Sequence, residues 1–136
     1  MEVTFPDGTR IRASSIFERV EDDPERDFGL YMDAHWEPTW PSDTIDWPDF
    51  GLPSDPERAA AQIRGAFLRA KNGEAVEVGC LGGLGRTGTV LACMAVLVGL
   101  DAPSSIAWVR ANYRAEAVET AEQEEWVAWF ARRARP

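Results

Sequence analysis

The sequence predicts an α/β domain in which helices pack around a central sheet. Three observations carry this. A strand-like run, Ala75-Val-Glu-Val, leads through a glycine-rich loop into a helix. Residues 90–100 are apolar all round, the pattern of a helix buried on every side. Strand-like segments come early in the chain, and helical spacing takes over after residue 53. A length of 136 residues fits one domain, residues 1–136, and is enough to bury a core without disulfide staples.

The elements follow in order. Residues 3–12 read as a hairpin turning at Asp7-Gly8, with Pro6 pointing to a sheet edge. Residues 21–27 are acidic and read as a solvated loop. Phe28-Gly-Leu-Tyr-Met reads as a buried strand. Residues 35–53 hold four prolines and three tryptophans, which excludes a regular helix or central strand and predicts a long, anchored loop. Its His35 has a packing role on this reading. Asp55-Pro56 is a helix cap followed by proline at the first position, and Asn72-Gly73 is the stop. Between them Ala60, Ile63, Phe67 and Ala70 recur at helical spacing. Pro103 starts a further helix with Ile106, Val109 and Tyr113 on one face. Thr120-Ala-Glu-Gln123 fits a capping box for the last helix, whose apolar face is Trp126, Val127 and Phe130.

Composition excludes several classes. The chain has 23 acids against 14 bases, a formal charge of −9, which disfavours nucleic acid and anionic membrane surfaces as partners. The longest apolar stretch is eleven residues, and a bilayer span needs about 20. The N-terminal residues do not resemble a targeting signal, so a cytoplasmic location is expected. The two cysteines, Cys80 and Cys93, form no framework, and no Cys/His cluster has metal-ligand spacing. No metal and no cofactor is expected. Cys93 reads as core. A Cys80–Cys93 disulfide is out of reach if the helix starts near Arg86, because Cys93 would lie about 10 Å along it.

The segment from Val78 to Thr89 carries the chemistry. Its glycines free the backbone to turn successive N–H groups into one concavity, and the following helix adds its own unpaired N–H groups. The result is an anion nest of phosphate size. It is not a nucleotide P-loop, because no Gly-Lys-Ser/Thr follows, and a dinucleotide fingerprint is matched only weakly. Cys80 stands at one end of the nest, where the field that binds anions also stabilises a thiolate. Arg86 stands at the other end and can fork onto two phosphate oxygens. Thr87 can donate its hydroxyl to the sulfur. A buried apolar turn would have no use for this arginine and these glycines.

Cys80-Leu-Gly-Gly-Leu-Gly-Arg-Thr-Gly resembles the C-x₅-R-[ST] signature of the cysteine-dependent protein tyrosine and dual-specificity phosphatases, in its compact dual-specificity form. Trp47-Pro48-Asp49-Phe50-Gly51-Leu52-Pro53 resembles the family's WPD loop. The stretch from Val109 to Gln123 resembles the segment ending in its water-positioning glutamine. The three motifs stand in the family's order over residues 47–124, and the first 40 or so residues show no match. The resemblance implies a central mixed sheet flanked by helices. One position departs: most members carry His before the nucleophile, and here it is Gly79.

The resemblance also implies a two-step phosphoryl transfer without metal. Cys80 is the nucleophile. The backbone of Leu81, Gly82, Gly83, Leu84, Gly85 and Arg86, with the Arg86 side chain, holds the phosphate. Asp49 is the general acid, Thr87 supports the thiolate, and Gln123 holds the attacking water. Competing assignments stand beside these. Trp40-Pro-Ser-Asp43 partly echoes the acid's motif. Gln123 can instead be the third residue of the Thr120 capping box, and one side chain cannot fill both roles. Arg110 and Arg114 read as solvated helix charges. The expected function is hydrolysis of phosphate monoesters on a phosphorylated protein by a monomeric enzyme. The alternatives are a catalytically weak phosphate-binding domain, which Gly79 motivates, and a sulfurtransferase or arsenate reductase, which the Trp-Pro-Asp run disfavours. The surrounding acidity favours a substrate that is not strongly acidic around its phosphate.

Overall fold

A computed structural model describes residues 1–15, 25–32, 38–48, 51–80 and 85–134. The elements are β1 (Glu2–Thr4), β2 (Arg10–Ser15), β3 (Phe28–Tyr31), β4 (Ser42–Thr44), α1 (Pro56–Lys71), β5 (Val76–Cys80), α2 (Gly85–Leu97), α3 (Ala102–Asn112) and α4 (Ala121–Ala134). The strands form one mixed sheet in the order β1-β2-β5-β3-β4. Only β1 runs antiparallel; β2, β5, β3 and β4 are mutually parallel. The mixed sheet flanked by helices is as expected.

The N-terminal hairpin forms, but its loop is longer than two residues. Pairing stops at Thr4↔Arg10, and Phe5 N–H donates to Thr9 O across the turn at 2.8 Å. Pro6 lacks an N–H and cannot extend the ladder. Gly8 takes φ 90°, and the Thr9 backbone N–H donates to Asp7 Oδ1 at 3.0 Å, which holds that carboxyl below its ordinary range. Strand β4 lies inside the stretch read as loop. It is three residues long, polar and preceded by Pro41, so neither propensity nor alternation marks it; it exists because β3 offers a parallel edge.

Alternation divides the sheet into two unlike faces. Val3, Ile11, Ala13, Leu30, Val76, Val78 and Cys80 all join the hydrophobic core. The residues between them on β2, β3 and β5 include Arg12, Ser14, Gly29, Tyr31, Glu77 and Gly79. On this second face Glu77 is fully buried and takes the Tyr31 hydroxyl at 2.7 Å, while Arg12 Nε lies 3.6 Å from its other oxygen. Trp40 Nε1 donates to Tyr31 Oη at 2.9 Å. The Tyr31 ring folds over Gly29, where an added Cβ would overlap it.

Helices α1 and α2 pack on the sheet, and α3 and α4 pack on α2. Residues Val90 to Ala95 of α2 are completely inaccessible, as an all-round apolar helix must be. Asp55 Oδ1 caps α1 by accepting from Arg58 N–H at 3.1 Å, and Asp101 does the same for α3 from Ser104 N–H at 2.8 Å. The α3 cap thus lies two residues before the Pro103 start. Phe5 stacks on Trp108 at 5.0 Å and meets Phe67 edge-on at 5.3 Å, tying the first hairpin to α3 and α1. Among the described residues, no helix is long and apolar enough to cross a membrane.

Candidate active site

Cys80 is the last residue of central strand β5, and α2 begins five residues later. This is where ligands gather in α/β sheets, at the carboxyl end of a strand facing a helix N-terminus. Leu81, Gly82, Gly83 and Leu84 lie outside the described residues, as do His35 and Asp49. The described part of the nest is ordered around the sulfur. Thr87 Oγ1 donates to Cys80 Sγ at 3.0 Å, and both residues are buried. The other cysteine, Cys93, is fully buried in α2, and burial pushes its thiol pKa up, which keeps it protonated and unreactive. Neither cysteine is part of a disulfide.

Arg86 is 93 % buried, at 7 % exposure. Its Nη1 donates to Met32 O at 2.8 Å and to Trp47 O at 2.9 Å. One guanidinium therefore ties the first turn of α2 to the end of β3 and to the start of the Trp47-Pro48-Asp49 run. Charge-assisted bonds of this kind are worth more than neutral ones.

The flanks of residues 49–50 are held from several sides. Trp47 is buried, its Nε1 donates to Gly51 O at 2.8 Å, and its ring meets Trp126 of α4 at 5.4 Å. Gly51 N–H donates to Pro48 O, and Ser54 N–H donates to Asp46 O, both at 2.9 Å. The described residues on either side of positions 49 and 50 are thus pinned to one another. Asp43, the competing acid, is in edge strand β4 and its own Oδ1 accepts from Thr44 N–H at 3.0 Å.

Gln123 is fully buried. Its backbone N–H donates to Thr120 Oγ1 at 3.1 Å, as in a capping box. Its side-chain oxygen accepts from Glu119 N–H at 2.8 Å, and Nε2 lies 3.4 Å from Gly51 O. Each end of the amide makes one bond here, which leaves the amide nitrogen a second N–H.

Within the stretch from Val109 to Gln123, the sequence assigns no individual role to Ala117, Val118 or Glu119. Val118 has φ 62°, the only non-glycine with positive φ among the described residues. For a β-branched residue this costs about 1–3 kcal/mol and persists only where neighbours enforce it. Arg110, read as a solvated charge, is an enforcer: Nε donates to Ala117 O at 2.9 Å and Nη2 to Val118 O at 2.8 Å. Gly88 is the second, because an added Cβ there would stand 2.5 Å from the Ala117 Cβ. The strained segment rests on the N-terminal turns of α2 and delivers Glu119 against Gly85. No local motif marks Glu119; only the packing of residues 117–119 on α2 reveals it.

Gly79 is explained by its surroundings. An added Cβ would meet Ser14 Oγ at 3.0 Å, Ser14 O at 3.2 Å and the Tyr31 ring at 3.4 Å. Ser14 of β2 and the Tyr31 ring of β3 stand on either side of the space a side chain at residue 79 would need. We therefore expect Gly79→His, which introduces the histidine usual in the resembling phosphatases, to destabilise the fold by about 1–3 kcal/mol through overpacking. Thermal denaturation checks this; a variant as stable as the parent would show that the second face has room to yield.

Comparison with known proteins follows from this geometry. The family model described as the Swiss Army Knife protein, DSP-PTPase phosphatase domain, matches residues 52–127. An uncharacterized protein of Methanocaldococcus jannaschii is 46 % identical over 81 residues, which are 58 % of this chain and 52 % of that protein. The chain spans about half the length of the curated relatives it matches. The crystal structure of Tk-PTP in the active form superposes with a TM-score of 0.69 at 28 % identity, covering 79 % of this chain and 80 % of that one. A mutant form of Tk-PTP gives a TM-score of 0.74 at 26 % identity, covering 96 % and 95 %.

Proposed function

Because the chain belongs to the DSP-PTPase phosphatase family, we propose that it hydrolyses phosphate monoesters on phosphorylated proteins in the cytoplasm, through a phosphocysteine on Cys80. The observation that carries this reading is the 3.0 Å bond from Thr87 Oγ1 to Cys80 Sγ at the mouth of α2, with Arg86 one residue away. A structural cysteine has no need of a buried hydroxyl donor aimed at its sulfur.

In the first step the Cys80 thiolate attacks phosphorus in line. The S–P bond forms, the ester P–O bond breaks, and Asp49 protonates the leaving oxygen. The backbone N–H groups of Leu81, Gly82, Gly83, Leu84, Gly85 and Arg86 and the Arg86 guanidinium hold the equatorial oxygens as charge shifts among them. In the second step water attacks phosphorus, Asp49 takes its proton, and the S–P electron pair returns to sulfur. Thr87 then donates to the departing thiolate. Gln123 holds the water through its second amide N–H.

Acid quenching during turnover of an aryl phosphate tests the reading. A phosphate adduct is expected on Cys80 by mass spectrometry, with turnover inhibited by vanadate and insensitive to chelators. Binding of phosphate with no adduct and no turnover between pH 5 and 7 would leave the chain a phosphate-binding domain, the reading Gly79 motivates.

A further inference from the structure

Glu119 is the acid the fold brings to the rim of the nest. An added Cβ on Gly85 would overlap its Oε1 and stand 2.6 Å from its Cδ, so the carboxylate lies directly against the α2 N-terminus. The residue is exposed, and its side chain has no hydrogen-bond or ion-pair partner among the described residues. Its backbone is not free to swing away. Glu119 N–H is bound by Gln123, and the preceding Val118 is clamped at positive φ by Arg110. Arg110 Nε and Nη2 are bound to the carbonyls of Ala117 and Val118 and its Nη1 lies 3.8 Å from Glu124 Oε1, while Arg86 Nη1 is bound to the carbonyls of Met32 and Trp47. Of the exposed charged neighbours in sequence, Glu116 and Glu122 carry the same sign as Glu119, and Arg114 lies over the Tyr113 ring.

A phosphate dianion bound over this helix terminus therefore meets a fixed carboxylate of like charge. Arg86 holds the phosphate itself in the proposed mechanism, and the repulsion from Glu119 is relieved where the substrate brings a cation to stand between the two. We propose that Glu119 is a specificity-determining residue, and that the substrates are phosphate monoesters flanked by a cationic group, as in a phosphopeptide with Lys or Arg beside the phosphorylated residue. The inference rests on the phosphatase reading and deepens it. The net charge of −9 favours approach of basic substrates in general; Glu119 adds discrimination at the site itself.

The test compares kcat/KM for two matched phosphotyrosine peptides, one with lysine and one with glutamate on both sides of the phosphorylated residue. The parent is expected to prefer the basic peptide by about tenfold, the combined effect of one attraction gained and one repulsion avoided at a partly exposed site. In Glu119→Gln the ratio falls to about twofold, and in Glu119→Lys it inverts. The Glu119 side chain is exposed and its structural bond is made by the backbone, so both variants should fold, which a thermal melt verifies. Glu125→Gln, an exposed acid on α4 that makes no contact with Gly85, controls for overall charge and should leave the ratio unchanged. An equal ratio in the parent and Glu119→Gln overturns the proposal, as does an equal change in Glu125→Gln or a parent preference for the acidic peptide. Those results would leave Cys80-dependent turnover standing. Absence of any Cys80-dependent turnover overturns the phosphatase reading, and this inference with it.

Discussion

Cys80→Ser is expected to lower aryl-phosphate turnover by on the order of 10⁴-fold or more, the usual scale for losing a covalent nucleophile. The hydroxyl is a much weaker acid than the thiol, so almost no alkoxide forms in the nest. The alkoxide would also be a far poorer leaving group in the second step. The substitution changes little else. Serine is smaller than cysteine by a fraction of an ångström in bond length, and Thr87 can still donate to it as it donates to Sγ at 3.0 Å. The variant should therefore retain its thermal stability and its affinity for phosphate or vanadate. Kinetics and binding measured on the same preparation check both halves. Turnover within tenfold of the parent would show that Cys80 is a bystander in a phosphate site.

Arg86→Lys should be nearly as damaging, with kcat/KM down by about 10²–10³-fold, a loss of roughly 3–4 kcal/mol in transition-state stabilisation. Arg86 does two things at once. It holds the carbonyls of Met32 and Trp47, and in the proposed mechanism its planar guanidinium also clamps the phosphate. Lysine is a single rotating ammonium and cannot reach both sets. If it serves the carbonyls, the phosphate loses its clamp. If it serves the phosphate, two buried carbonyls go unpaired, at about 1–3 kcal/mol each. Activity and stability measured together report which loss occurs. A variant with parental kcat/KM and lowered stability would make Arg86 structural alone.

These two expectations differ in how far they could be argued from the chain alone. The Cys80 expectation rests on a contiguous motif, because nucleophile, hydroxyl donor and helix N-terminus come from one nine-residue segment. Local arguments of that kind also placed the capped start of α1 at Pro56 and the buried run of α2, since caps and periodicity depend on near neighbours in sequence. The structural half of the Arg86 expectation rests on Met32 and Trp47, which are 54 and 39 residues away. Nothing local foretells that their carbonyls meet one guanidinium. The same holds for Gly79, read as a lost histidine, whose side-chain space is bounded by Ser14 and Tyr31 from the neighbouring strands.

The residues that surprised share a cause. β4 is three polar residues that pair only because β3 lies beside them. Arg110 sits on an ordinary helix, but reaches two carbonyls across a loop. Gln123 fits a local capping box, and its amide also reaches Gly51, 72 residues away in sequence. By itself, the sequence determined the class of fold and which cysteine stands between a strand and a glycine-rich helix start, because these follow from periodicity, glycine content and short-range spacing. Tertiary structure alone decided what surrounds the nest: the double tie of Arg86, the tyrosine behind Gly79 and the strained delivery of Glu119 to Gly85. Those depend on which distant backbones are brought within hydrogen-bond reach, and a one-dimensional pattern does not carry that distance.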